Sequence, residues 1–337
     1  DGDGIYLPAD GDCEPLLYPP PTVITHIHDE GHNVITSALV GALVHDNINV
    51  TGLGPMPTGQ VTVRVYDEPA CVSSFFDVFV TLDLNGNGET APSIMPNTGR
   101  SYKAHYDGDG IYLPADGNCE PLKLPPTVTT LIHDPNHGVI TSAAVGTVVH
   151  DQAVVSGSGS APTGTVTFKR YDNPACSGAP IDTEIIALSL VSISESSTTA
   201  MLDTGLSYKV SYSGDALYEA VVGDCEPLKL PPTVTTYIHD PSHVVITSVS
   251  VGTVVHDQAV VSHSGATPTG TVTFNRYDNP ACNGTPIDTE IVALSLASAE
   301  SSTATMTNNG LSYKVSYSGD ALYVPADGVC EPLYPPS

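Results

Sequence analysis

The chain has no tryptophan and five phenylalanines, and its 337 residues carry only 10 Lys and Arg against 37 Asp and Glu. That shortage of positive charge excludes nucleic acid as a default partner, because a phosphate backbone is bound by a basic face. A net charge of −27 equally opposes docking on an anionic lipid surface. No run of 18 apolar residues occurs, so neither a spanning helix nor direct membrane insertion is expected. Cys-x-x-Cys and Gly-x-Ser-x-Gly are both missing, which removes the commonest thiol-redox signature and the hydrolase nucleophile elbow. The chain opens on Asp1 without an initiator Met or an apolar leader, as expected of a mature or excised polypeptide.

What is plentiful is turn chemistry and repetition. Gly (30) and Pro (29) punctuate a sequence that is 40% hydrophobic, so cores can form but long helices are not expected. The phrase Cys-Glu-Pro-Leu begins at Cys13, Cys119, Cys225 and Cys330, with spacings of 106, 106 and 105. Pro-Ala-Cys ends at Cys71, Cys176 and Cys282, with spacings of 105 and 106. A period of about 106 residues is that of one small domain. Residues 1–11 are identical to residues 107–117, so residue 1 is expected to match the start of the last strand of a repeat. The expected division is a closing strand of a preceding repeat (1–18) and three full repeats (19–124, 125–230, 231–337). Repeats 2 and 3 are nearly the same, whereas repeat 1 diverges between Val72 and Arg100. Paired prolines at each boundary predict short, semi-rigid, extended linkers.

Repeat 2 shows the strand pattern. Thr127–Ile132 and Val148–Ser156 are β-branched runs. The turn signal at Pro162-Thr163-Gly164 launches Thr165–Tyr171, in which Val166 and Phe168 share one face. Ile185–Leu190 and Ser197–Met201 are shorter candidates. Leu206–Tyr212 alternates Leu206, Tyr208, Val210 and Tyr212 on one side, and a last strand is expected near Leu217–Val222. About seven strands in 106 residues predict an all-β sandwich. Asp203-Thr204-Gly205 before Tyr208 has the form of a tyrosine corner, in which that hydroxyl bonds nearby backbone. Repeat 3 carries Asn309-Gly310 at the same place and lacks the acidic residue.

The order PPTVTT, IHDP, VITS, VGTVVHDQAVVSG, PTGTVTF, YDNPAC, YKVSYSGDALY, CEPL resembles the tandem bacterial immunoglobulin-like repeats of large secreted or surface proteins. The resemblance covers all three repeats. It implies Ig-like β-sandwich domains arranged end to end in extracellular stalks, adhesins or fibres. It implies no catalysis, and no catalytic residue is carried over. The Trp of antibody domains is absent.

Seven cysteines on a fixed period predict disulfides formed in an oxidising compartment, extracellular or at the cell surface. Two regular pairings fit the spacing. One stays within repeats (Cys71–Cys119, Cys176–Cys225, Cys282–Cys330). The other crosses the proline joints (Cys13–Cys71, Cys119–Cys176, Cys225–Cys282). The first is preferred, since each bond then closes a loop of about 50 residues inside one domain, a length at which a disulfide contributes about 3–4 kcal/mol. Cys13 is then left for a partner outside this chain or in a neighbouring subunit.

Each repeat carries two His-Asp pairs: His28-Asp29 and His45-Asp46, His133-Asp134 and His150-Asp151, His239-Asp240 and His256-Asp257. A third histidine follows the first pair, at His32, His137 and His243. These Asp and His residues can converge on Ca²⁺ or another divalent cation if the first two strands are neighbours. The competing expectation is that Asp holds turn backbone while His packs at a sandwich end. No other cofactor is expected. Asp83–Gly88 and Asp107–Gly110 resemble parts of a calcium loop, but Ile94 stands where the bidentate Glu of the first would be needed, so both are expected to be turns. Asn49-Val50-Thr51 and Asn283-Gly284-Thr285 fit the glycosylation sequon. Lys103, Lys209 and Lys314 alternate with inward tyrosines and should face solvent.

The leading functional expectation is a non-enzymatic, disulfide-stapled stalk or filament that associates with copies of itself or with neighbouring repeats. A second is an adhesin that binds a surface glycan or protein through repeat 1, which alone has Met56, Phe75, Phe76 and Met95. A third is a subunit that polymerises by donating residues 1–18 as a strand.

Overall fold

The computed structural model describes residues 5, 11, 12, 14, 16–189 and 191–336. Cys13, most of the expected strand 1–18 and Leu190 lie outside the described residues. The chain divides into two compact units: residues 1–127, 156–163 and 214–220 form unit 1, and residues 128–155, 164–213 and 221–337 form unit 2.

Every element among the described residues is a strand, and the long ones are rich in β-branched and aromatic residues. The first repeat holds β1 (Thr22–Asp29), β2 (Leu43–Thr51), β3 (Gln60–Tyr66), β4 (Phe75–Thr81), β5 (Asn87–Glu89), β6 (Ser93–Ile94), β7 (Arg100–Tyr106), β8 (Ala115–Asp116) and β9 (Glu120–Leu122). The second holds β10 (Thr127–His133), β11 (Val148–Ser156), β12 (Thr165–Tyr171), β13 (Asp182–Ala187), β14 (Ile193–Glu195), β15 (Thr199–Ala200), β16 (Leu206–Tyr212) and β17 (Val221–Leu228). The third holds β18 (Thr233–His239), β19 (Val254–Ser262), β20 (Thr271–Tyr277), β21 (Asp288–Ala293), β22 (Ser298–Glu300), β23 (Ala304–Thr305), β24 (Leu311–Tyr317), β25 (Ala326–Asp327) and β26 (Glu331–Leu333).

Each repeat builds the same two antiparallel sheets. In the first, β1-β2-β5 form one sheet with β6 also on β2, and β4-β3-β7-β8 form the other with β9 also on β7. β5 and β6 are therefore one interrupted strand, and so are β8 and β9, which leaves seven strand positions. The second repeat pairs β10-β11-β14, with β15 on β11, against β13-β12-β16-β17; the third repeats this order. Hairpin-connected strands exchanged between two sheets make these Ig-like β-sandwiches, and the fold is all-β.

Three strands differ from their sequence-based positions. Ile185–Leu190 is replaced by β13, which starts earlier, and Ser197–Met201 by the two pieces β14 and β15. The closing strand, expected at Leu217–Val222, is β17 and includes Cys225. Leu217 and Tyr218 instead sit in the turn before it. The Asp215 carboxylate accepts from the amides of Leu217 and Tyr218, at 2.8 and 2.7 Å, and from the Thr163 amide at 2.8 Å, so a side chain takes backbone bonds that a strand would have made.

The tyrosine anchor also differs. The Tyr208 hydroxyl is buried without a backbone partner. The residue that bonds backbone is Tyr218: its hydroxyl donates to the Ser160 carbonyl at 2.8 Å and accepts from the Gly159 amide at 2.7 Å. Tyr112 does the same with Pro55 and Gly54, and Tyr323 with Ala266 and Gly265. A Cβ at Gly157 would overlap the Tyr218 ring, whereas the third repeat places His263 at the equivalent position against Tyr323. In unit 2 a core of Ile132, Val149, Tyr208, Leu230, Val261 and Tyr323 is wholly buried.

Candidate functional site

Disulfides join Cys71 to Cys119, Cys176 to Cys225 and Cys282 to Cys330. All three lie within repeats, and none crosses a proline joint. Each first cysteine sits in a tight turn with positive φ (55°, 49° and 49°). In the second repeat the Asn173 carboxamide accepts from the Ala175 amide, and the Cys176 amide donates to buried Ser207. Ser207 donates in turn to the Asn173 carbonyl, so hydrogen bonds hold the turn alongside the disulfide.

The His-Asp pairs separate because neighbouring residues on a strand face opposite sides of the sheet. On β2, His45 faces outward while Asp46 enters the sandwich interior with Val44 and Ile48. Asp46, Asp151 and Asp257 are wholly buried. Burial first, and the charge of Glu226 or Glu331 second, push the Asp151 and Asp257 carboxyls up to about 8. Burial and Glu120 drive Asp46 well up too. These glutamates come from Cys-Glu-Pro-Leu. One carboxylate oxygen of Glu120, Glu226 and Glu331 accepts from the amide of Ile27, Ile132 and Ile238, at 2.9, 3.0 and 3.0 Å. Asp29, Asp134 and Asp240 spend their carboxylates on turn amides: Asp29 accepts from Gly31 and Asn33, both at 2.9 Å, Asp134 from Asn136 and Gly138, and Asp240 from Ser242 and Val244. No aspartate of the six expected metal candidates joins a histidine at a common point.

The histidines do converge, and a glutamate joins them. β1 and β2 pair with His28 opposite His45, so both rings stand on the outer face. The Asp29 turn then holds His32 at φ 58°, and His137 and His243 take φ 59° and 58° at the same place. This left-handed backbone is uncommon outside glycine but accessible to histidine. It returns His32 over His45, with Nδ1 of His32 and Nε2 of His45 3.2 Å apart. Pairing of β2 with β5 sets Glu89 opposite Asn47, and its Oε1 lies 3.6 Å from His32 Nδ1. Glu195 and Glu300 lie 3.8 Å from His137 and His243. The resulting clusters are His28, His32, His45 and Glu89; His137, His150 and Glu195; and His243, His256 and Glu300, with ligand atoms within 4.8 Å of one another in each. His133 and His239 stack on His150 and His256, with ring centroids 5.5 Å apart. Burial holds His45, His150 and His256 below the ordinary histidine value.

Glu89, Glu195 and Glu300 carried no local motif, and their signal lay only in the 106- and 105-residue intervals between them. Among the remaining sequence candidates, Asn49 lies in mid-strand with its amide donating to Asn87 at 2.7 Å, while Asn283 is exposed in a turn. Asp83 and Asp109 accept turn amides, so both calcium-like segments are turns. Met95 is buried in the core, whereas Phe75, Phe76 and Phe79 are exposed on the edge strand β4.

No protein-family model matches the chain, and no curated protein does. Among solved structures, the chain is similar to the chicken CNTN1 FN1-FN3 domains, at 10% identity over 93% of this chain and 96% of that one, with a TM-score of 0.27. Fibronectin(III)-like modules of Clostridium thermocellum CbhA match at 12% identity over 61% and 95%, TM-score 0.29. A putative membrane anchored protein from Corynebacterium diphtheriae matches at 9% identity over 94% and 98%, TM-score 0.26. At these scores the likeness carries nothing on function. The Ig-like repeats and three disulfides fit an extracellular structural repeat protein.

Proposed function

We propose that the chain is a non-enzymatic structural element outside the cell, a semi-rigid, disulfide-stapled stalk or filament segment of a bacterial surface or secreted protein. The observation that carries this reading is the fate of the linker residues. Leu124 and Leu230, just before the paired prolines, are fully buried. Within unit 1 the Leu124 amide donates to the Leu217 carbonyl at 2.9 Å, and Lys123 Nζ to the Asp215 carbonyl at 2.6 Å. Within unit 2 Leu230 and Lys229 repeat this with Leu322 and Asp320, at 2.9 and 2.6 Å. A joint whose backbone is bonded and whose side chain is packed resists bending, whereas a solvated linker swings. Disulfides inside each repeat suit an oxidising exterior and limit extension under load.

Small-angle scattering of the oxidised chain tests the reading. A particle with the cross-section of one sandwich and a length that grows in proportion to repeat number supports it. A profile of flexibly tethered beads overturns it.

A second reading, adhesion through repeat 1, is favoured by one feature. Phe76 is 50% exposed on an edge strand, where repeats 2 and 3 carry Asp182 and Asp288 at the equivalent register position; Phe79 has exposed Ile185 and Ile291 as its counterparts. An apolar edge is a surface for pairing with another chain. Binding of repeat 1, but not repeat 3, on a glycan array or to cells supports adhesion, and equal inactivity removes it.

A further inference from the structure

We propose that each repeat binds one borderline transition-metal ion of the Zn²⁺ type, held by His32, His45 and Glu89 in the first, His137, His150 and Glu195 in the second, and His243, His256 and Glu300 in the third. His28 adds a fourth ligand in the first site. The inference stands apart from the mechanical reading and holds whether or not the chain is a stalk.

Three independent observations converge on it. The first is distance. Tetrahedral zinc with bonds of about 2.0–2.2 Å sets its ligand atoms about 3.3–3.6 Å apart. The His45–His32 nitrogens are 3.2 Å apart and the His32–Glu89 atoms 3.6 Å. The corresponding His–Glu separations in the other repeats are 3.8 Å, so small rotamer changes close the shell.

The second is the cost of the unligated arrangement. Nε2 of His150 and of His256 is buried with no hydrogen-bond partner. A buried polar atom left unsatisfied is destabilising, and a metal ion in the cluster satisfies it. In the first repeat two imidazole nitrogens point at each other, a contact that permits only one proton between them and suits a cation equally.

The third is the expenditure on placement. The middle histidine holds a left-handed backbone in all three repeats, and an aspartate carboxylate clamps its turn each time. That backbone is what brings each of these rings against the histidine of the second strand, with ring centroids 4.9, 4.9 and 4.8 Å apart. Histidine nitrogen with a single carboxylate is the donor set of Zn²⁺, Ni²⁺ or Cu²⁺, whereas Ca²⁺ and Mg²⁺ require oxygen cages. The ion would tie the turn after the first strand (residues 29–33 in repeat 1) to the second strand and to β5 or its equivalent, on the outer face of the sheet.

The test is titration of the untagged, oxidised, EDTA-stripped full chain with Zn²⁺, read by calorimetry and by competition with a chromophoric chelator. The expected result is three ions per chain, undisturbed by millimolar Ca²⁺ or Mg²⁺. His243→Asn should leave two ions, and the triple variant His32→Asn, His137→Asn, His243→Asn should leave none. Asparagine tolerates the left-handed backbone and these histidines are exposed, so the thermal midpoint in EDTA should not change. Fewer than one ion bound by the folded wild-type chain, or three ions still bound by the folded triple variant, overturns the proposal. Should the triple variant unfold, Glu89→Gln, Glu195→Gln, Glu300→Gln replaces it, with the same loss of binding expected and unchanged binding overturning it.

Discussion

The amide of Leu230 donates to the carbonyl of Leu322 at 2.9 Å, and the Leu230 carbonyl accepts from the Val324 amide at 3.1 Å. A residue that the sequence places in a proline linker is thus bonded on both sides into the turn before β25, with its side chain wholly buried.

Leu230→Ala should therefore behave as a core substitution. Truncating a buried leucine costs about 2–5 kcal/mol. Urea unfolding should show that loss, whereas Leu296→Ala, at an exposed position, should change little. Equal, small effects at both positions would mean that the joint is solvated and the stalk reading fails.

Tyr323→Phe removes a buried hydroxyl that donates to Ala266 at 2.7 Å and accepts from Gly265 at 3.1 Å. The orphaned carbonyl and amide should lower stability by about 1–3 kcal/mol. Tyr208→Phe removes a hydroxyl with no backbone partner and should cost less. Thermal midpoints of the two variants, measured side by side, check the order.

Replacing Cys176 and Cys225 together by Ser opens a 49-residue separation. The expected loss is about 2–5 kcal/mol in the repeat concerned. Calorimetry should show a new early transition, with the other repeats unchanged. A uniform shift of the whole profile would contradict independent clasps.

Stability should peak in mild acid when measured in EDTA. Burial acts to raise the Asp109 carboxyl, but the amides of Tyr112, Ile111 and Thr58 outweigh it and hold the group at about 2. Asp215 and Asp320 are lowered by equivalent bonds. A depressed folded value contributes stability that is present above the unfolded value of 3.8 and lost as pH falls towards 2. Asp151 and Asp257 have the opposite sign. With folded values raised to about 8, their contribution is complete below 3.8 and is lost as pH rises through 8. The thermal midpoint should be highest at about pH 4–5 and decline on both sides. Asp151→Asn with Asp257→Asn should flatten the alkaline limb. A maximum at pH 7–8 in the unmodified chain would refute the sign of the buried pairs.

Much of the fold was legible in the residues. Val148–Ser156, Thr165–Tyr171 and Leu206–Tyr212 are strands with the bounds that alternation assigns them, because a half-buried strand needs only a period of two to declare itself. The closing strand was misplaced, because Leu217 and Tyr218 are apolar for a different reason: they plug a turn that Asp215 holds together. The histidines of the candidate site were visible as a recurring set. Their aspartate neighbours were not separable from them by spacing alone, and Glu89 stood 44 residues beyond His45 with no motif to link the two.

Composition, the 106-residue period and strand alternation by themselves determined an acidic, turn-rich, all-β chain of repeated units with cysteines in fixed positions. Those features are local or periodic, and no contact has to be known to see them. Only the tertiary structure decided which side chains share a face across strands. Register puts His28 opposite His45 and brings Glu89 alongside, while the pleat of the same strand sends Asp46 into the core. Such pairings depend on how distant segments align, and a shift of one residue would exchange the outward histidine for the inward aspartate.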